Sequence, residues 1–475
     1  MRKRFWGLLP GAVVLLGWGC ASVPRDAGVG EVNRVLEERT GHRLSWKPGQ
    51  AIEPPNDQEL EAQLQSELSA DRAVEIALAN NRDLLAALEE LGIARADLIA
   101  ARTVRNPILD GEYHFPGEKF TPYEIAITQT LVDLLQLRRR RAVGAAEFEA
   151  ARLRVTASVV GFAGEVRADF YTLQAAQAAL AQQRTISAAA EAAVQLAQRQ
   201  HEAGNITDLD LEAEQALYEE AKLDLAASEL DELAARERLL TDLGSLRPLP
   251  LALPPLAAPP AEPERTPEEV EAVQSERLDV LLAQAELDAA KKAGPLARAE
   301  PFDELAAGVH FDRESGGERS RGPVATIPIP LFDRGLAART RAGAMIRLAE
   351  QRLHALAVAA RSEARAARER LVEARARAEY LATVVVPRRQ RILYLTQLEY
   401  NAMLRGVFDL IRARQGLAEA ERERVFALRD YWLARTEMDL ALSGVTGFTV
   451  RPERPRLDRL ELVESARQQE SKENH

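Results

Sequence analysis

The side chains best suited to chemistry are few in this sequence and poorly arranged for it. Six histidines are scattered along 475 residues, and the single cysteine, Cys20, has no second thiol for an internal disulfide. No His, Cys, Asp and Glu set has the spacing of a metal site, and there is no nucleophile elbow, phosphate loop or zinc-protease motif. A catalytic role and a cofactor are therefore not expected. What stands out instead is placement. Cys20 follows an apolar leader, His114 and His310 hold matching places in two candidate strands, and Arg138 to Arg141 form a basic run. Asp208, Arg405 and Asp409 sit beside turns between long helical segments.

The elements that carry these residues follow from composition. Charged residues are 28% of the chain and aromatics 5%, with Ala, Leu, Glu and Arg filling the middle, which favours long helices over a mixed globular core. The formal charge is −11, and losing residues 1–19 would remove Arg2, Lys3 and Arg4 and no acid, leaving −14. Nucleic acid is a poor partner for such a chain, because phosphate binding needs clustered Lys and Arg. Leu8 to Trp18, broken by Pro10, is too short for a bilayer helix, and with its basic start it reads as a signal peptide over residues 1–20. Leu16-Gly17-Trp18-Gly19 before Cys20 resembles a lipobox, which would leave an acylated cysteine, although Gly17 stands where a leucine is usual. An ordinary signal peptide with an incidental cysteine is the alternative. No other stretch suits a membrane helix, so any crossing must use strands.

An internal duplication is the strongest organising feature. Arg82-Asp83-Leu84-Leu85 finds a relative in Arg277-Leu278-Asp279-Val280, Leu131-Val132-Asp133 in Leu331-Phe332-Asp333, Ala213-Glu214-Gln215 in Ala413-Arg414-Gln415, and Gly244 in Gly444. Tyr113-His114-Phe115 likewise answers Val309-His310-Phe311. The domain bounds are an extension at 21–67, repeats at 68–246 and 268–446, a linker at 247–267 and a polar tail at 447–475. The linker holds eight of the 24 prolines and should be an extended strap.

Each repeat reads as helix, two strands, a very long helix, a turn and a returning helix. A helix is expected over Ser69–Arg102, ended by Asn106-Pro107. Alternation predicts strands of about nine or ten residues at 108–116, around Tyr123–Ile127, around Leu305–Phe311 and at Val324–Leu331, the last after a Gly-rich turn at Ser315–Gly322 and weakened by prolines 323, 328 and 330. No breaker occurs from Leu134 to His201, roughly 100 Å of helix. Val155, Val159, Phe162, Val166 and Leu173 mark a coiled-coil seam, as do Leu209, Ala216, Leu223 and Leu230 on the returning helix. Gly204-Asn205 turns the first hairpin with Thr207 or Asp208 as cap, Leu404-Arg405-Gly406 turns the second, and Pro387 should kink the second long helix.

Four membrane-length strands cannot close a barrel alone, and open edges in lipid leave backbone groups unpaired. Three copies would supply twelve strands, an even number within the known range. The chain here resembles the TolC-like outer-membrane efflux factors over about residues 69–445. The residues that carry the resemblance are Leu68-Ser69-Ala70-Asp71-Arg72-Ala73-Val74-Glu75-Ile76-Ala77-Leu78 with Asn80-Asn81, then His201-Glu-Ala-Gly204-Asn-Ile-Thr207, and Tyr400-Asn-Ala-Met-Leu-Arg-Gly406-Val-Phe-Asp-Leu. The family usually has Tyr where this chain has His201.

The resemblance implies a mainly α chain with membrane β, in two tandem repeats of long coiled-coil helices plus a β-hairpin. It implies a homotrimer with a 12-stranded barrel in outer-membrane lipid and an α-helical tunnel. It further implies a lipoprotein channel subunit of a tripartite efflux system, passing metal ions or small toxic molecules through contact with a periplasmic adaptor and an inner-membrane pump of the RND type. The lipoprotein start and second tip lean toward the heavy-metal branch. Gly204, Asn205, Thr207, Asp208, Arg405, Gly406 and Asp409 would form the periplasmic tip, where ion pairs could close the entrance or select cations. His114 and His310 could meet passing metal or be ordinary wall residues. Arg138–Arg141 could hold lipid headgroups or be a solvated helical turn. Two other classes stay open. A periplasmic adaptor would have one hairpin within β-rich domains, and a structural coiled-coil lipoprotein would continue its heptads through 105–131.

Overall fold

Alternating and helical periods trade places twice along the chain, and the fold follows them. The computed structural model describes residues 26, 28–47, 49, 57–113, 123–261, 265–272, 274–314 and 317–445. The signal segment with Cys20, the prolines 48, 54 and 55, His114 and the tail 447–475 lie outside these residues. Helices α1 (Val29–Thr40) and α2 (Asp57–Leu64) precede the first repeat of α3 (Ala70–Asn80), α4 (Arg82–Arg102), β1 (Ile108–Tyr113), β2 (Tyr123–Thr130), α5 (Leu131–Glu202) and α6 (Asp208–Asp242). The second repeat is α7 (Pro267–Ala272), α8 (Leu278–Ala297), β3 (Ala306–Arg313), β4 (Arg319–Thr326), α9 (Leu336–Tyr380), α10 (Val386–Asn401) and α11 (Val407–Ser443). The strands at 108–130 break any continuous coiled coil. Among the described residues no helix is long and apolar enough to cross a membrane.

The chain forms two compact units. Among the described residues, one gathers those within 26–31, 89–152 and 282–354, and the other those within 32–88, 153–281 and 355–445. The first holds the four-stranded antiparallel sheet, in the order β1-β2-β3-β4. At the foot of β2, the buried Asp133 accepts from Arg105 Nη2 at 2.8 Å and from Arg140 Nη1 at 2.9 Å. Hydrogen bonding from Arg105 holds its carboxyl below the usual range, against the opposing effect of burial. Arg141 donates to the Arg102 carbonyl at 3.3 Å, so two members of the 138–141 run brace this joint.

The helical unit is built on small residues and one apolar seam. Val155, Val159, Phe162, Val166 and Leu173 of α5 are all buried, as their spacing predicts. Val270, Ala364, Ala367, Leu371, Tyr431, Ala434, Met438, Ala441 and Leu442 form a second cluster among α7, α9 and α11. The proline-rich linker lies in this unit and is fastened through its carbonyls. Gln174, Trp432, Arg375 and Arg368 donate to the carbonyls of Pro254, Ala257, Pro260 and Arg265 at 2.7–2.9 Å. Prolines cannot donate, so side-chain donors supply the bonds that a ladder would have given.

Several expectations need correction. The helix expected over Ser69–Arg102 is two helices: Ser69 caps α3 by accepting from Arg72 N at 3.2 Å. Asn81 then breaks the run, its side-chain Oδ1 accepting from Leu84 N at 2.9 Å while its Nδ2 donates to Asp242 O at 3.1 Å. The described strands span six to eight residues, fewer than expected. β4 begins at Arg319 rather than Val324, because the β3–β4 turn is tight: Glu314 N bonds Glu318 O at 3.0 Å. Ser320 and Gly322, within the expected turn, are paired strand, and Pro323 sits inside the edge strand β4. In the second long helix a π-turn at Leu381–Val385 lies one turn before Pro387, absorbing the missing donor. The Leu209, Leu223 and Leu230 stripe of α6 is not packed within the chain, being 77%, 74% and 66% exposed.

The two repeats end alike. Gly244 and Gly444 follow α6 and α11 with φ of 76° each. Ser245 N bonds Leu240 O at 3.0 Å and Val445 N bonds Leu440 O at 2.9 Å, a left-handed helix stop in both cases. A side chain at Gly244 would place its Cβ 2.8 Å from Asn80 O, whereas one at Gly204, with φ of 73°, would meet nothing within 4 Å. Gly204→Ala should therefore cost about 1 kcal/mol from backbone strain alone, and Gly244→Ala more than about 2 kcal/mol. Thermal unfolding of the two variants measures the difference.

A buried carboxyl pair gives the helical unit a pH dependence. Burial, reinforced by Asp169 and Glu165, pushes Asp242 up to about 8, and burial raises Asp169 as well. The folded chain thus holds a proton that the unfolded chain releases near the ordinary carboxyl value of 3.8. That stabilisation is complete at low pH and is lost as pH rises through about 8. Unfolding measured from pH 4 to pH 9 should show wild type weakening across this window and Asp242→Asn weakening less.

Candidate functional site

Two regions carry functional candidates: the sheet in one unit and the hairpin turns in the other. The sheet is two-faced because strand side chains alternate. Register places Leu109, Ile127, Val309 and Pro323 in one row, Gly111, Ile125, Phe311 and Arg321 in the next, and Tyr113, Tyr123, Arg313 and Arg319 in the row beside the turns. The Tyr113 and Tyr123 rings lie 5.9 Å apart on this face. Leu109, Tyr113, Ile127, Val309 and Phe311 are exposed apolar side chains with no cover from the chain itself.

The opposite face is polar toward the turns, whereas nearer the helices Ile108 and Val324 share its row with Thr128 and Gly308. Asp110 shares a row with Ala126, His310 and Gly322, and Glu112 shares one with Glu124, Asp312 and Ser320. His310 Nε2 lies 3.8 Å from Asp312 Oδ1, and the Ser320 hydroxyl donates to Asp312. Gly322 leaves room for the His310 ring, whose nearest atom would be 3.1 Å from an added Cβ. All four strand carboxylates stand on this face and all three strand arginines on the other. His310 is thus a polar-face residue with a carboxylate neighbour, and no group of three or more potential metal ligands occurs among the described residues.

The hairpin turns are built from backbone geometry. Gly204 N bonds His201 O and Asn205 N bonds Gln200 O, both at 2.8 Å, closing the C-terminus of α5. Thr207 caps α6: Asp210 N donates to its hydroxyl at 3.2 Å and Thr207 N donates back to Asp210 at 3.1 Å. Asp208, the alternative cap, instead faces His201, 2.6 Å from its Nε2. The second turn repeats this form, with Met403 N on Tyr400 O at 2.9 Å and Leu404 N on Glu399 O at 2.8 Å. Its left-handed residue is Met403, φ 61°, not Gly406. Gly406 is the cap of α11, and its N–H donates to Asp409 at 3.3 Å. Arg405 donates to Glu399 at 2.9 Å.

The charged tip residues therefore pair within their own turns. Sequence reading missed the bonds that join the two hairpins: Arg412 of α11 donates to Glu214 of α6 at 3.3 Å, and Arg422 of α11 donates to Gln183 of α5 at 2.7 Å. Asp210 was also missed, although Thr207-Asp-Leu-Asp210 carries the capping-box spacing. Nothing in the sequence pointed to Met403, because a left-handed methionine violates the rule by which such turns are found.

The chain thus combines a two-faced four-stranded antiparallel sheet in one unit with two hairpins of long helices in the other. Residues 73–245 match the model of the outer membrane efflux protein family, so by sequence the likeness to that family lies in the first repeat. By fold the likeness extends over most of its length. A membrane protein from Pseudomonas aeruginosa superimposes with a TM-score of 0.63 at 22% identity, covering 78% of this chain and 93% of that one. The CmeC outer membrane channel of Campylobacter jejuni gives 0.67 at 15%, covering 89% and 93%. The open-state MtrE outer membrane channel of Neisseria gonorrhoeae gives 0.62 at 18%, covering 79% and 89%. A search of curated proteins found no match.

Met403 is 93% exposed, so its side chain contributes little packing to offset its backbone conformation. Met403→Gly should stabilise the second turn by up to about 1 kcal/mol. Slower amide exchange at the adjoining ends of α10 and α11 would register the gain.

Proposed function

We propose that this chain is the outer-membrane channel subunit of a tripartite efflux system, passing metal ions or small toxic molecules from the periplasm to the exterior. The observation that carries the reading is the sheet, with an uncovered apolar face, a polar face, and β1 and β4 at its two edges. Such a sheet suits lipid on one side and water on the other, provided its edges are paired by further copies. Three copies are the number that the family resemblance implies. The exposed Leu209, Leu223 and Leu230 stripe on α6 is a second surface suited to another copy, since heptad leucines bury against a facing helix.

In this reading the segment 1–20 is a signal peptide and Cys20 becomes a lipid anchor in the outer membrane. The helices form a tunnel in the periplasm. The turns bearing Gly204, Asn205, Thr207, Asp208, Arg405, Gly406 and Asp409 meet a periplasmic adaptor, and through it an inner-membrane pump. Arg412 and Glu214 join the tip residues as a pair that ties the hairpins together near the turns. The sheet's acidic polar face favours cationic solutes.

Outer-membrane fractions run unboiled on SDS gels, with cross-linking in parallel, test this assembly. The protein should migrate as a heat-modifiable trimer, Leu223→Glu should weaken the trimer, and Cys20→Ser should alter only its anchoring. A soluble or inner-membrane monomer would overturn the proposal.

A further inference from the structure

We infer that the apolar face of the sheet ends, beside its turns, in a docking surface for a phosphorylated lipid headgroup of the outer leaflet. The inference rests on the membrane reading of the sheet given above. Within this unit α4, α5, α8 and α9 all join the strands at one end, and the turns close the other. With the helices on the periplasmic side, the turns face outward.

Read from the helix end toward the turns, the apolar face changes character in steps. Leu109, Ile127, Val309 and Pro323 make a purely apolar row, and Gly111, Ile125, Phe311 and Arg321 follow. Tyr113, Tyr123, Arg313 and Arg319 complete the face at the turns. Successive rows are about 7 Å apart along the strands. Arg319 and Arg321 are exposed and two residues apart on one strand, so their guanidinium groups project from the same side. The chain thus presents acyl-compatible side chains, then phenols at headgroup depth, then paired guanidiniums.

Charge sorting makes the surface specific. Asp110, Glu112, Glu124 and Asp312 all stand on the opposite face, and Glu314 and Glu318, joined across the turn, continue the parity of that face. No strand residue on the arginine face is acidic. Guanidinium forks match phosphate oxygens bidentately. A solute in the lumen would face the carboxylates and not these arginines. A free phosphate ion would make no use of the apolar rows directly beneath. The occupant that uses both features is a lipid bearing phosphate on its headgroup.

The test uses purified full-length protein in detergent, titrated with mixed micelles of bisphosphorylated lipid A or of its dephosphorylated form. Wild type should bind the phosphorylated lipid about ten- to thirtyfold tighter than the Arg319→Gln/Arg321→Gln double variant. Both proteins should bind the dephosphorylated form equally weakly, and Arg319→Lys/Arg321→Lys should recover part of the loss. Equal binding of the phosphorylated lipid by wild type and the Gln variant would overturn the inference. Full displacement by millimolar inorganic phosphate would also overturn it, making this a free-anion site. The heat-modifiable trimer in the outer-membrane fraction separates the two levels. If wild type and variant both form it and bind alike, only the lipid surface falls; if wild type does not form it, the membrane reading falls as well.

Discussion

Every backbone amide and carbonyl must find a partner, and this chain meets that demand in three different ways. Its helices close on themselves and end in left-handed stops that return two further bonds each at 204, 244, 403 and 444. Its proline-rich linker, poor in donors, is held by Gln174, Trp432, Arg375 and Arg368 reaching its carbonyls. Its sheet leaves the outer sides of β1 and β4 without a neighbouring strand among the described residues. In water such edges are solvated. In lipid they cost several kcal/mol for each unpaired group, so the same chain placed in a membrane calls for further copies of itself.

The two repeats keep backbone geometry while exchanging the side chains that produce it. At the entry to the second helix of each repeat, Asn81 ties the chain to the end of α6 through its amide. Arg277, the residue just before α8 and fully buried, bonds Asp279 at 2.7 Å, Glu363 at 3.1 Å and the Ala360 carbonyl at 3.1 Å. At the hairpins Gly204 gives way to Met403 and the full capping box of Thr207 to the half box of Gly406. What persists is the position of a left-handed residue and the bonds around it. That pattern marks the duplication more clearly than the side chains do.

Charge sorting on the sheet links architecture to transport. Four carboxylates on one face and three arginines on the other could not arise from burial, because neither face is covered within the chain. The proposed placement would account for it through two different environments: a watery side that favours cations and an apolar side that ends at an anionic lipid boundary. The helical unit shows a related asymmetry. The α5 seam is filled by its own chain, whereas the heptad leucines of α6 point to solvent, so one repeat pattern serves internal packing and the other is left for a partner.

Much of this was legible in residues alone. Periodicity located the α5 seam, because a stripe at spacings of three and four can be buried only on one side of a helix. The glycines at 204, 244 and 444 marked turns, and the linker's prolines predicted a strap. Sequence also showed two halves, since repeated landmarks in order require no knowledge of contacts. Tertiary structure alone decided the start of β4, where pairing with β3 overrides the loop character of Ser320 and Gly322. It alone revealed Met403 as a left-handed residue and Arg412–Glu214 as a bond between hairpins, 198 residues apart in the chain. It also decided which leucine stripe the chain fills itself. A heptad states that a helix has an apolar side, but the packing of all the other helices determines whether that side is already occupied.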